Sequence, residues 1–265
     1  MKSEDYTQGD AFQAEKRTIF ATEWLPVCAE AQIAGPGDFL SASVGGWGVL
    51  AVRDKAGTVR VMRNACRHQN MPVTTTPSGQ CESFRCRFHG WTYGLDGTLL
   101  SAPPPVAPAD PTSPNVNLLS FATAQASGLV FFSLANPATP PTLAPLPAYG
   151  GTIATDIAAN WKSCAEHFLA SAVEWHWPLL ALRREGAVVI VQQIVPHTFP
   201  RTRLFTHVFG GSVDAYRGEA ASVKQAGERL QAARATGTMA EAGNEAVAAF
   251  HRRLDAAYRE AAAAT

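Results

Sequence analysis

The sequence is short of charge. Asp, Glu, Lys and Arg make up 17% of its 265 residues, against about a quarter in ordinary soluble domains. Its 22 basic and 22 acidic residues cancel, so there is no chain-wide basic field to hold nucleic acid or an anionic membrane. No apolar run approaches the roughly 18 residues of a membrane span; the most hydrophobic, Leu129-Val130-Phe131-Phe132, stops at Ser133. The opening Met1-Lys2-Ser3-Glu4-Asp5 has neither the basic start nor the apolar core of a secretory signal, and a reducing, cytoplasmic home is expected. Cysteine is scarce as well. An odd set of five (Cys28, Cys66, Cys81, Cys86, Cys164) points to metal ligation or burial rather than a disulfide framework. What the chain does have is apolar content, 46%, and enough length for two modest domains at a usual size of roughly 150 residues.

Residues 11–33 mix apolar and charged positions without clean alternation, and Gly35-Pro36-Gly37-Asp38 then reads as a turn into strands. Val49–Arg53 and Val59–Met62, joined through Asp54-Lys55-Ala56-Gly57, predict a hairpin, and the same grammar recurs at Trp91–Tyr93 and Leu99–Leu100. Eleven of the 18 prolines fall between Ser101 and Gly150, broken by an apolar strand at Leu129–Phe132, which predicts the end of a β-domain followed by a linker. From Ala159 the pattern changes to a helix running to about Trp177, then strands at Ala187–Val195 and Thr202–Val208. The Ala-, Glu-, Arg- and Gln-rich tail from Gly218 predicts two closing helices with a break at Ala235–Thr238. The expected domains are therefore residues 1–148 and 149–265.

Chemistry concentrates in two half-sites. Cys66-Arg67-His68 and Cys86-Arg87-Phe88-His89 pair a Cys with a His twice, 17 residues apart (Gln69 to Arg85). Two thiolates and two imidazoles so arranged suit a Rieske 2Fe-2S cluster, in which one iron takes both Cys and the other both His. Cys₂His₂ also holds tetrahedral zinc, but zinc sites usually pair Cys with Cys and His with His. Cys28, Cys81 and Cys164 are expected to be buried or idle thiols.

The stretches Asn64–His68 and Cys86-Arg87-Phe88-His89-Gly90-Trp91-Thr92-Tyr93-Gly94-Leu95-Asp96-Gly97 closely resemble the Rieske domain of ring-hydroxylating oxygenase α subunits, over about residues 18–135. The resemblance implies Cys66, His68, Cys86 and His89 as cluster ligands, with the two imidazoles at the solvent edge. One departure is Gln69-Asn70, where that family most often has Arg-Gly. Rieske proteins of cytochrome bc complexes are similar at the ligands but add two cysteines, at the positions of Met71 and Phe88, and a Ser where this chain has Trp91. Their absence implies a low-potential, oxygenase-type cluster with fewer hydrogen bonds to sulfur.

Asn160-Trp161-Lys162-Ser163-Cys164-Ala165-Glu166-His167 resembles the start of the catalytic-domain helix of the same oxygenases. This implies an α+β protein: an all-β Rieske domain followed by a small, truncated, helix-grip-like α+β domain. In active relatives that helix supplies a bridging acid and two His which, with a distant carboxylate, hold a mononuclear Fe(II). Carried over without gaps, those positions are Ser171, Glu174 and Leu179. The third ligand would lie near Ala221–Gln231, where Glu228 is the only carboxylate. Between Arg184 and Val188 almost nothing remains of the pocket-covering loops.

A rearranged iron site remains open on sequence alone. His167, Ser171 and Glu174 would share one helix face, and His167 with Glu174 are the candidate catalytic residues; the competing reading is a hydrogen-bonded His and Glu. Trp161, Trp175 and Trp177 are expected in core or interface, and His197, His207 and His251 as ordinary surface or strand residues. The resemblance implies an oxidoreductase component that takes electrons from a ferredoxin or a flavin/NAD(P)H reductase. It further implies a homo- or hetero-trimer of α-type chains, in which the cluster serves a neighbour's mononuclear iron for hydroxylation or demethylation. A non-catalytic electron-transfer or structural subunit is the alternative.

Overall fold

The computed structural model describes residues 1–171, 173–238 and 244–263. By contacts it divides into Val27–Thr142 and a second unit made of Met1–Pro26 with Leu143–Thr265.

The first unit is built from antiparallel sheets. Strands β1 (Leu25–Ala29), β2 (Asp38–Val44), β3 (Trp47–Arg53), β4 (Val59–Arg63), β5 (Ser78–Gln80), β6 (Phe84–Arg85), β7 (Thr92–Tyr93), β8 (Leu99–Ser101), β9 (Ala122–Ala126) and β10 (Leu129–Ser133) form sheets ordered β4-β3-β2-β5, β6-β7-β8 and β1-β10-β9. The predicted hairpin is β3 and β4, with Val49 opposite Arg63 and Arg53 opposite Val59. Its turn is held by Asp54, whose Oδ1 accepts from the amides of Ala56 and Thr58 at 2.9 Å each. Phe39, Leu50, Val52, Met62, Phe84 and Tyr93 form a core that also encloses Cys66 and Cys86. Each such large apolar side chain contributes about 1.5–3 kcal/mol of transfer free energy.

The second unit wraps helices on one five-stranded antiparallel sheet, ordered β11-β15-β14-β13-β12: β11 (Tyr149–Ile157), β12 (Glu174–His176), β13 (Leu180–Glu185), β14 (Val188–Thr198) and β15 (Arg201–Phe209). Between Glu185 and its partner Val188 only Gly186 and Ala187 intervene, and Gly186 takes the positive φ of 59° that a two-residue hairpin requires. The predicted near-absence of loop there holds. The helices are α1 (Glu4–Thr7), α2 (Gly9–Thr22), α3 (Trp161–Leu169), α4 (Arg217–Ala235) and α5 (Glu245–Ala263). Asn160 caps α3 by accepting from the Lys162 amide at 3.0 Å. The two closing helices fall where composition placed them.

Three expectations are corrected. The stretch from residue 11, which showed no clean alternation, is α2: Phe12, Ile19 and Phe20 are buried, and so is Glu15, whose charge interrupts the apolar stripe. The first 26 residues belong with the C-terminal segment and not, as the 1–148 boundary supposed, with the β-domain. Phe20 meets Trp161 edge-on at 5.5 Å, and Glu15 supplies the partner Lys162 needs. Finally, α3 ends at Leu169 and does not run on to Trp177. Beyond it Glu174, Trp175 and His176 pair with Leu182, Ala181 and Leu180 as strand β12, a setting that favours Trp175 and the β-branched Val173 just before it.

The interior of this unit holds two buried carboxylates. Glu15 accepts from Lys162 Nζ at 2.5 Å, Trp161 Nε1 at 2.7 Å and the Tyr258 hydroxyl at 2.7 Å, and both ion-pair side chains are 0% exposed. Glu166 is bound by Arg234 at 2.5 Å, by His251 Nε2 at 2.7 Å and by the Tyr6 hydroxyl. His251 is therefore no ordinary surface residue. On β15, His207 is buried between Thr152 Oγ1 (2.6 Å) and Gln193 Oε1 (2.9 Å).

Two stability outcomes follow. Glu15→Gln keeps the shape but strands the Lys162 ammonium, so unfolding free energy should fall by about 3–5 kcal/mol in urea titration. Glu15→Met combined with Lys162→Met should recover most of that loss; a double variant no better than the single would refute the ion-pair account. Burial depresses His207 to about 3, so its unfolded state binds a proton first as pH falls below about 6.5. From pH 7.5 to 5.5 this residue alone should remove about 1.4 kcal/mol, and His207→Gln should flatten that part of the pH–stability curve.

Candidate metal centre

Both half-sites sit on loops of the same backbone design. Between β4 and β5, the Cys66 amide donates to Met71 O at 2.8 Å and the Asn70 amide donates back to Cys66 O at 2.8 Å. Between β6 and β7, the Cys86 amide donates to Trp91 O at 2.8 Å and the Gly90 amide to Cys86 O at 2.9 Å. Each loop closes on a left-handed residue four positions after its Cys, with φ of 57° at Asn70 and 73° at Gly90. This accounts for the departure noted at Gln69-Asn70. After Gly, Asn is among the residues that best tolerate this conformation, so the substitution preserves the turn.

The loops bring the two Cys and the two His together as pairs. Cys66 and Cys86 are each 2% exposed and lie in the β-unit's core, while the rings of His68 and His89 meet edge to face with centroids 4.7 Å apart. His89 is exposed and His68 half-buried. His68 stacks on Trp91 at 5.5 Å and 11°, and Trp91 is itself anchored by its Nε1 donating to Val106 O at 2.9 Å. His68 Nδ1 is buried with no hydrogen-bond partner, an arrangement costing about 1–3 kcal/mol unless another group takes the lone pair. A metal is such a group.

Among the described residues no three His, Cys, Asp or Glu side chains converge on one ion. A thiol pair beside an imidazole pair suits two metal atoms with two protein ligands each, the division of ligands in a Rieske 2Fe-2S cluster. The donor set therefore fits that group.

Tyr93, which the sequence reading left in a strand, completes the site. Its hydroxyl lies 3.3 Å from Cys66 Sγ and accepts from the Arg67 amide at 3.0 Å. Once Cys66 is a thiolate, which has no proton to give, the Tyr93 O–H is the donor of this pair. Burial raises the Tyr93 hydroxyl, and the bond to Cys66 raises it further, so it stays protonated. Burial also pushes the Cys66 thiol up, while the Tyr93 bond opposes this. The legible signal was period two: Tyr93 follows Trp91 on the same side of the chain.

In the second unit the candidate residues part. Glu174 Oε1 meets His176 Nε2 at 2.6 Å and its Oε2 meets Arg184 at 3.5 Å. His167, half-buried near the end of α3, packs on Phe168, so the expected shared helix face of His167, Ser171 and Glu174 does not form. Leu179 is fully buried. Glu228 binds Lys224 and the Ala158 amide. Trp161 is buried, and Trp175 and Trp177 pack against Phe250. Cys28 and Cys164 are buried, which pushes each thiol up to about 12.

Comparison with known proteins agrees with the geometry. The Rieske [2Fe-2S] domain family matches residues 23–121. The chain is 38% identical over 98 residues to the α subunit of chlorobenzene dioxygenase from Cupriavidus sp. (strain PS12), spanning 37% of this chain and 22% of that protein. It is 39% identical over 98 residues to the α subunit of biphenyl 2,3-dioxygenase from Rhodococcus jostii (strain RHA1), again 37% of this chain and 21% of that protein. The chain thus spans about a fifth of the length of the curated relatives it matches.

Likeness in fold extends further. The quaternary ammonium Rieske monooxygenase CntA with γ-butyrobetaine superposes with a TM-score of 0.80 at 18% identity, over 97% of this chain and 95% of that one. Naphthalene 1,2-dioxygenase with indole bound in its active site does so at 0.73 and 17%, over 97% and 92%. No described helix is long and apolar enough to cross a membrane. Two matched loops, a buried thiol pair, an orphaned imidazole nitrogen and the sequence matches lead to one conclusion: residues 23–121 are a Rieske [2Fe-2S] domain homologous to that of ring-hydroxylating dioxygenase α subunits.

Proposed function

We propose that this chain is the electron-carrying component of a Rieske oxygenase system. In this reading Cys66 and Cys86 hold one iron of the cluster and His68 and His89 the other. The cluster supplies a one-electron relay. It is filled by a ferredoxin or a flavin/NAD(P)H reductase and emptied toward a mononuclear iron on an α-type partner chain, within a mixed or homo-trimer that hydroxylates or demethylates a small organic substrate. The observation that carries the reading is the pair of matched loops, which keep both thiols buried and both imidazoles together at an accessible edge.

Delivery to a partner's iron, and not to one in this chain, is supported by the second unit's residues. Where active relatives place an acid and two His, this chain has Ser171, Glu174 and Leu179. Glu174 is engaged by His176 and Arg184, and Leu179 lies in the core. Tyr93 has a defined part: its O–H stabilises added negative charge on the Cys66 sulfur, while the Trp91 stack fixes the His68 ring.

Protein purified without oxygen should contain iron and acid-labile sulfide in equal amounts. His68→Ala and Cys86→Ala should each abolish the EPR signal of the reduced cluster. An unchanged signal would overturn the ligand assignment, and one further iron per cluster, lost in His167→Ala or Glu174→Ala, would instead make the chain an oxygenase in its own right. Tyr93→Phe should retain the cluster but lower its midpoint potential. Loss of a bond worth about 1–2 kcal/mol corresponds to roughly 40–90 mV on a one-electron couple, read by dye-mediated EPR titration.

A further inference from the structure

Charge in the second unit is unevenly matched. Lys162, Arg183, Arg234 and Arg252 each meet a carboxylate. One depression of about 310 Å³ departs from this pairing, lined by Asp156 of β11, His197 of β14, Arg201 and Arg203 of β15, and Lys224 of α4. Arg203 takes both oxygens of Asp156, at 2.7 and 3.0 Å, which holds that carboxyl below its usual range. Asp156, the one acid among the described lining residues, is thus ionised and already used. Lys224 Nζ donates to the Asp156 carbonyl at 3.0 Å and to the Glu228 carboxylate, which leaves one of its three protons. The side chains of His197 and Arg201 are exposed, and among the described residues neither has a hydrogen-bond or ion-pair partner.

A β-bulge brings the unpartnered pair into the lining. Pro196 pairs with Thr202 and Thr198 with Arg201, so His197 is the extra residue of β14, and such a residue re-aims its side chain out of the regular alternation. Arg201, Arg203 and Lys224 against Asp156 leave the lining two charges positive, in a chain of zero net charge. Ile157 and Ala158 are its apolar residues, so charge and hydrogen bonding dominate recognition there. We propose that this depression binds a small phosphate-class oxyanion, either free or carried as a phosphate monoester. Arg201 presents the planar fork that matches phosphate oxygens, His197 a ring N–H and Lys224 its remaining ammonium proton. These donors come from three different elements, and a tetrahedral anion offers an oxygen to each where a flat carboxylate offers only two in one plane. The site is independent of the electron-carrier reading, since no residue of the β-unit takes part in it.

The test is isothermal titration calorimetry of the full chain at low salt, with inorganic phosphate, glycerol 3-phosphate and succinate as probes. Phosphate should bind one per chain with a Kd of about 1 mM or tighter. Arg201→Gln should weaken binding about tenfold, the loss of one charge-assisted bond, and Arg201→Gln combined with His197→Gln should weaken it further. Both side chains are exposed and unpartnered, so these variants should melt within about 2 °C of wild type in anion-free buffer. Arg17→Gln, which removes an exposed arginine of α2, should leave phosphate binding unchanged. Equal affinity for phosphate and its ester supports the proposal with the free anion as ligand, and tighter binding of the ester supports it with a phosphorylated small molecule. Binding that does not saturate by roughly 20 mM, a double variant within twofold of wild type, or succinate binding as well as phosphate would overturn it.

Discussion

The β-unit depends on one backbone constraint, used twice: a loop in which the Cys amide reaches forward five residues and the Cys carbonyl is reached from four. These bonds fix each Cα–Cβ direction before any metal arrives. Their requirement falls on the residue four after the cysteine, which must take positive φ, and Gly90 meets it without strain. Asn70 meets it at a small cost, which explains how a sequence can leave the family pattern at the loop rim without disturbing the ligands. A β-branched residue would not do the same.

The constraint also organises what surrounds it. Tyr93 couples the backbone to the sulfur: its oxygen accepts from the Arg67 amide, and its proton is the one available to a Cys66 thiolate. The sequence comparison with bc-type proteins pointed to fewer hydrogen bonds on sulfur, since the Ser position is Trp91. The fold supplies one hydroxyl from another strand position, so the donor count cannot be read from the ligand motif alone. Trp91 meanwhile does the work of a wall, stacked on His68 and tied to Val106.

Legibility followed the range of the interaction. The hairpin of β3 and β4 and the Leu129–Phe132 strand rest on local rules and were readable from the residues themselves, as were the two Cys–His pairs that the loops bring side by side. Helix α2 was not, because Glu15 breaks its apolar stripe and makes sense only beside Lys162, 147 residues away. The end of α3 was missed for a related reason. His167, Ser171 and Glu174 have helical spacing, but pairing of Trp175 with Ala181 outweighs that local preference. His251 looked like a surface histidine because its partner, Glu166, is 85 residues distant.

That same Glu166 shows what the second unit has become. Its two oxygens accept from Arg234, His251 and Tyr6, and desolvation, which would raise its carboxyl, is outweighed by these donors so that it titrates below the usual range. A carboxylate so engaged is a poor candidate metal ligand, since coordination would require giving up charge-assisted bonds worth about 1.5–3 kcal/mol each and would leave the Arg234 guanidinium buried and unpaired. The helices that flank this interior are held by two satisfied carboxylates, Glu15 and Glu166, each with a cation and a tyrosine. Networks of this kind stabilise a fixed arrangement only when every member is paired. Glu15 and Glu166 are thus committed to partners of their own, and their role is in holding the helices of this unit together.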